Sequence, residues 1–464
     1  MKPAPFAGQQ SRAVAGDRKK QVLLHIGAPK TGSTSLQRVL FNNRATLASH
    51  GILYPDLFLT ASKRDRLRFP YDSHGALMLA FATGTDRRKE TTVFRKRGIV
   101  DARSRERWAA QRIQTLETQL RNSQAQTCIL SCENFFGFIT NPAFVPFRDF
   151  LDRYFEHVHL VLYFRPAHEE YASMIQQKLK GGRFLDRLEL PQDFQQRAIP
   201  TDEGFAPTQE AGNQHEIRTI QVAAQRFIQA YSESFGKTNL SIIPYRRDTL
   251  IQGDVTQDFC QRFLPPACVS AIAFDTTRAN VSIPLAAALT RCVLKQISQQ
   301  IQQRNGFRLS FENQVIDELV TKLMTVSPTP DLPKLVTPTP WKQLIAHRHR
   351  DFYEWLEDTF FEGDRGTIVD PSLFETPCPP DVSVEEFEAW LASHCTLTGL
   401  TELVNGVLGL GIPRDRVEAV FQPTFTLRAL TALLDDHMPK YLARQSRIGF
   451  WFNRAIARFP RSLG

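Results

Sequence analysis

The chain of 464 residues contains no run of about 20 apolar residues, the length a helix needs to cross a bilayer. Its first 20 residues, MKPAPFAGQQSRAVAGDRKK, lack an apolar core of signal-peptide length. Residues 1–19 therefore read as a flexible leader, and export by that route is not expected. Cysteine is sparse: Cys128, Cys132, Cys260, Cys268, Cys292, Cys378 and Cys395 are scattered, odd in number and never spaced CxxC. They read as reduced thiols of a cytoplasmic chain. HExxH and paired CxxC spacings are missing as well, so no metal is expected. Neither an interleaved basic and aromatic RNA motif nor zinc-finger spacing occurs, which leaves nucleic acid outside the expected partners. Internal repeats are absent too, and compositional bias is confined to a few proline-rich breaks.

What the chain does have is enough apolar material, 42% of its residues, for a large core, and a net charge of +9. That charge suits an anionic ligand, but it equally suits nucleic acid or an acidic membrane surface, so charge alone selects nothing. The selective feature is Gln21 to Leu36, QVLLHIGAPKTGSTSL. Val22, Leu23, Leu24 and Ile26 suit a buried strand that breaks at Gly27, and Leu36, Val39, Leu40 and Leu47 then recur at helical spacing until Gly51, a left-handed helix stop. A strand, a glycine loop and a helix N-terminus aim backbone N–H groups and the positive end of a helix dipole at one small volume, where an anion is stabilised. A nucleoside-triphosphatase P-loop would place Lys directly after its second Gly; here Ser33 follows Gly32 and Lys30 lies two residues before it.

With Pro29 and Lys30 ahead of Thr31-Gly32-Ser33-Thr34, and Gly51-Ile52-Leu53-Tyr54-Pro55 after the helix, the segment resembles the 5′-phosphosulfate loop of sulfotransferases that use 3′-phosphoadenosine 5′-phosphosulfate (PAPS), in particular their bacterial branch. The resemblance implies Lys30 at the oxygen bridging phosphate and sulfate. It also implies phosphate contacts from Gly32, Ser33, Thr34 and Ser35, with Pro29 and Thr31 in the same cradle. A second motif, YFRPAHEEYASMIQQ, ends a strand at Arg165 and puts Ser173 eight residues on, within a helix. In the family an Arg and a Ser so placed hold the nucleotide's 3′-phosphate, and a guanidinium fork with a hydroxyl suits phosphate oxygens. The similarity extends over about residues 20 to 295. It implies PAPS as donor, adenosine 3′,5′-bisphosphate as product, and a carbohydrate or other glycan, a lipid or a small molecule as acceptor.

Sulfuryl transfer to a hydroxyl or amine needs a base for the acceptor's proton. Two residues are candidates: Glu133, directly after the strand Thr127 to Ser131, and His74, in Tyr71-Asp72-Ser73-His74-Gly75. His74 has a suitable unperturbed pKa, Glu133 a suitable place, and the sequence does not choose between them. A P-loop kinase or nucleotide hydrolase, and a non-catalytic nucleotide-binding scaffold, are the alternative functions.

The expected fold is α/β, a central parallel sheet flanked by helices, because strand signals (Val22 to Ile26, Thr127 to Ser131, Val158 to Phe164, Asn239 to Pro244) alternate with helical ones. That domain should span 20–325. Basic loops around Arg87-Arg88-Lys89 and Arg95-Lys96-Arg97, and a polar loop from Ile199 to Asn213, are expected near its mouth. A proline-rich linker over 326–345 and a mainly helical C-terminal region over 346–464 should follow. The last 25 residues combine Phe450, Trp451 and Phe452 with Arg447, Arg454 and Arg458; they read either as a docked helix or as a helix lying on an anionic membrane.

Overall fold

Five short apolar segments form a parallel sheet in the computed structural model, which describes residues 20–28, 30–59, 72–83, 94, 99, 101–181, 190–194, 217–246, 248–274, 283–305, 311–326, 335–421 and 427–456. The leader, Pro29, the two basic triplets around Arg87 and Arg95, the loop 199–213 and the residues 327–334 of the linker lie outside that set. So do the side chains of residues 446–456.

The strands are β1 (Lys20–His25), β2 (Ile52–Leu53), β3 (Thr127–Ser131), β4 (Phe155–Phe164) and β5 (Leu240–Pro244), in the spatial order β2-β3-β1-β4-β5. Every pairing is parallel; Leu24 stands opposite Leu130 on one side and Leu160 on the other. Near-continuous apolar strands are what a parallel sheet covered on both faces requires. Alternation divides them: Leu23, Ile129, Val161, Tyr163 and Ile243 enter one core cluster, while Val22, Leu24, Leu130, Leu160 and Leu162 face the other way and are equally buried.

The first cluster is closed by α1 (Ser33–Asn42) and α2 (Arg44–Ser49), whose Leu36, Val39, Leu40 and Leu47 are buried at the expected spacing. Asn43 separates the two helices and clamps the chain after the sheet, donating to Val39 O and Ala273 O at 2.9 Å each and accepting from Ala273 N at 2.8 Å. Gly51 then takes φ 74°, the left-handed stop read from the sequence. Next come α3 (Gly75–Ala82), α4 (Ala102–Asn122), α5 (Phe144–Tyr154), α6 (Ala167–Gly181), α7 (Ile217–Phe235) and α8 (Val255–Phe263). On α4, Ala109, Leu116 and Leu120 are buried along one face and Ile113 is half-buried.

The chain forms two compact units, and they interleave in sequence. One holds residues 1–167, 195–279 and 349–372, the other 168–194, 280–348 and 373–464. The division expected from proline content, a single domain over 20–325 followed by a C-terminal region from 346, differs from this one on two counts. Residues 168–194 and 280–325 belong with the later helices, and 349–372 return to the unit that carries the sheet. Within that unit the helix Arg350–Phe360 sets Phe352 against Phe164 at 5.7 Å between centroids, and Tyr353 Oη accepts the N–H of Ala167 at 2.8 Å.

The second unit is helical: α9 (Leu285–Asn305), α10 (Phe311–Thr325), α11 (Thr339–Arg348), α12 (Val384–Ser393) and α13 (Leu427–Ile456). Part of the expected linker is thus helix, for α11 begins at Thr339. The reason is aromatic packing, since Trp341 stacks on Phe387 at 6.0 Å and meets Trp390 edge-on at 4.8 Å. No helix among the described residues is long and apolar enough to cross a membrane.

Candidate functional site

After β1 the chain moves toward β3 and β2, and after β4 toward β5, so the carboxyl ends of β1 and β4 flank the point where the sheet order reverses. Ligands of open α/β sheets collect at that crevice. The segment following β1 is the glycine loop, and the residue following β4 is Arg165.

The loop is built from left-handed residues. Gly27, Lys30 and Gly32 have φ of 49°, 64° and 75°. Lys30 and Gly32, on either side of Thr31, alternate left-handed with ordinary backbone, a pattern that can turn N–H groups to one side as in an anion nest. Lys30 is the one without a glycine's freedom, and its half-buried side chain starts from a backbone conformation L residues rarely adopt. Thr31 is fully buried and spends its hydroxyl on Ala28 O at 2.7 Å, which ties the turn together. Gly32 caps α1 through its carbonyl, which accepts from Ser35 N and Leu36 N at 3.0 and 3.2 Å. No side chain caps this helix, and its first turn holds no acidic residue. Its N-terminal N–H groups and dipole face the crevice, where the carboxylate of Glu133, hydrogen-bonded to the Ser33 hydroxyl, stands beside them.

Gly32 is required on steric grounds too. A Cβ there would sit 2.7 Å from Val255 Cγ1 and 3.3 Å from Tyr245 Oη. Val255 is the first residue of α8, whose start is fixed by Asp254 accepting from Thr256 N and Gln257 N at 2.8 and 3.1 Å. Tyr245 follows β5, and the guanidinium carbon of Arg165 lies 5.9 Å from its ring centroid. The loop, Tyr245 and Arg165 thus occupy neighbouring positions at the ends of β1, β5 and β4. Behind β5, Arg246 donates to Gly366 O at 3.2 Å, so the segment returning from residues 349–372 buttresses this edge.

Glu133 completes the group. It follows β3, its Cα lies 3.0 Å from the position a Cβ on Gly27 would take, and its Oε2 accepts the hydroxyl of Ser33 at 2.7 Å. Thr34 is exposed and Ser35 half-buried on the first turn of α1.

His74 is placed differently. Its Nδ1 accepts the N–H of Ser131 at 2.9 Å and its Nε2 lies 3.0 Å from Pro55 O. Acceptance at Nδ1 leaves the proton on Nε2, donated to Pro55. Burial pushes its pKa down to about 4 against the opposing pull of those two hydrogen bonds. Both nitrogens of this candidate base are thus occupied, and the ring joins the end of β3 to the Tyr54-Pro55 segment. Ser173 lies on α6 in the second unit and donates its hydroxyl to Glu170 O at 2.8 Å, a bond within its own helix.

Tyr245 and His25 belong to the site's surroundings although sequence reasoning singled out neither. Tyr245 could have been found as the first residue after a strand end. His25 was hidden inside an apolar run, where it reads as one more strand position. Among the described residues no group of three or more His, Cys, Asp and Glu side chains is arranged to hold a metal ion. Comparisons with protein-family models, curated proteins and solved structures found no match for the chain.

Proposed function

We propose that the chain is a PAPS-dependent sulfotransferase that moves a sulfuryl group to a hydroxyl or amine, with a carbohydrate or glycoconjugate as the leading acceptor class. The observation that supports this best is the gathering of an uncapped anion loop bearing Lys30, a strand-end Arg165 and a carboxylate, Glu133, around one switch point. The displaced lysine, two residues before the second glycine of the loop, favours a phosphosulfate over a triphosphate.

In this reading the loop amides and Lys30 stabilise charge that develops on the departing phosphate. The acceptor oxygen or nitrogen attacks sulfur in line; a new bond to sulfur forms as the bond from sulfur to the bridging oxygen breaks, and adenosine 3′,5′-bisphosphate leaves. Glu133, rather than the enclosed His74, takes the acceptor's proton, because its carboxylate stands beside the loop. Arg165 supplies the charge for the 3′-phosphate; Ser173 enters only through its motif.

Thermal denaturation with adenosine 3′,5′-bisphosphate and, separately, with ATP and Mg²⁺ tests the reading. Stabilisation by about 2.7 kcal/mol is expected from the bisphosphate at a hundred times its Kd, and none from ATP. The reverse pattern would instead identify a kinase or hydrolase. Transfer of labelled sulfate from PAPS into a glycan panel, with Lys30→Ala as control, tests the chemistry: activity should fall on the order of a hundred-fold or more.

A further inference from the structure

His25 is the last residue of β1 and stands opposite Ser131 in register. Its Nδ1 lies 2.7 Å from Ser131 Oγ, and the rings of Tyr163 and Phe259 meet it edge-on, each with centroids 6.0 Å away. The imidazole is fully buried, and its Nε2 has no hydrogen-bond partner among the described residues. Cε1, the carbon bonded to that nitrogen, lies 3.5 Å from the position a Cβ on Gly27 would occupy. The Cε1 edge of the ring thus adjoins Gly27, the residue that opens the glycine loop.

A buried polar atom left unmade is destabilising; an apolar ring between Tyr163 and Phe259 would remove the orphaned Nε2, at the expense of the Nδ1 bond to Ser131. A polar group kept in such a place calls for a partner, and the adjoining loop, left-handed at three residues and followed by an uncapped helix, is the element whose groups an oxyanion would reorient. We propose that His25 is a positioning residue of the oxyanion site: its Nε2 completes a hydrogen bond to the loop when a phosphate-type oxyanion fills the cradle, and so favours the filled loop over the empty one. Burial also pushes the pKa of His25 down to about 4, so the contribution is that of a neutral hydrogen-bonding group and not of a cation. The inference rests on the phosphate-binding half of the proposed function, not on the identity of the nucleotide.

Three substitutions separate this role from packing. Gln can place a nitrogen or oxygen near the position of Nε2; Asn can keep the Ser131 contact but reaches no further; Phe fills the slot and offers no hydrogen bond. Affinities are read by thermal shift on the full chain with two probes, adenosine 3′,5′-bisphosphate and inorganic pyrophosphate. Asn and Phe should weaken both on the order of ten-fold while Gln largely restores them. Wild-type affinity in the Asn variant, or equal loss in Asn and Gln, would overturn the proposal even if the Phe variant does not fold. If pyrophosphate stabilises the wild type and the nucleotide does not, the sulfotransferase reading fails while the series still decides the role of His25. No response of the wild type to either probe would overturn both.

Discussion

Lys30 adopts φ 64°, a left-handed conformation that costs an L residue about 1 kcal/mol or more. Strain of this kind persists where surrounding structure over-determines it, and here Thr31 anchors the turn through Ala28. Lys30→Gly should therefore raise the free energy of unfolding by about 1 kcal/mol and at the same time abolish donor stabilisation, whereas Lys30→Ala should lose the ligand response without the gain. Urea denaturation with and without adenosine 3′,5′-bisphosphate measures both effects; a glycine variant less stable than wild type would place the strain elsewhere. Gly32→Ala should do the opposite. Its methyl group would collide with Val255 Cγ1 at 2.7 Å and sit at φ 75°, so a loss of roughly 2 kcal/mol is expected, together with a weakened anion response, in the same measurement.

At the scale of elements, the site depends on how α8 is seated. Its Asp254 cap sets the first turn, that turn places Val255 against Gly32, and three residues further on Asp258 is buried and accepts from Tyr163 Oη, Arg262 Nε and Ile251 N at 2.8, 2.7 and 2.9 Å. Asp254→Ala removes the cap, together with the Thr256 hydroxyl's bond to the same carboxylate, and should cost about 1 kcal/mol, read from the denaturation midpoint, with a partial loss of anion affinity because Val255 is no longer fixed. An unchanged affinity would show that the loop keeps its shape without α8. These elements differ in how readily the sequence discloses them. β3 runs from Thr127 to Ser131 as read, and β1, β4 and β5 agree within a few residues, because buried parallel strands are unbroken apolar runs bounded by polar or glycine residues. The loop and α1 were legible for the same reason, with Gly32 and Gly51 as punctuation. Roles of buried polar residues were not: His74 reads as an available base in sequence, and only the fold shows Ser131 N and Pro55 O enclosing it. Long-range neighbours such as Tyr353 on Ala167 leave no local signal at all.

For the whole molecule, that same lack of local signal explains why proline content does not disclose the interleaving of the two units. Proline marks where a chain turns or extends, but which unit a helix joins is decided by partners far away in sequence, as Trp341 with Phe387 and Trp390 shows. Buried histidines carry a further consequence for the molecule as a whole. His25 and His74 both hold pKa values near 4 because burial disfavours the charged ring, against an ordinary value of 6.5 in the unfolded chain. Above pH 6.5 each is neutral in both states and stability is unaffected. As pH falls from 6.5 toward 4 the unfolded chain binds a proton at each site that the folded chain refuses, so stability declines by about 1.4 kcal/mol per pH unit for each histidine, roughly 3 kcal/mol apiece across the window. Carboxylates titrate in the lower part of the same range, so the test is a difference. Urea midpoints from about pH 7 down to about pH 4.5 should fall less steeply in His74→Gln than in the wild type, by about 1.4 kcal/mol per unit. The variant should also be less stable at neutral pH, since the hydrogen bonds at Ser131 and Pro55 are imperfectly replaced, but its slope is what isolates the imidazole. Parallel slopes in the two proteins would mean that His74 titrates in the fold as it does in water, and that its ring is open to solvent after all.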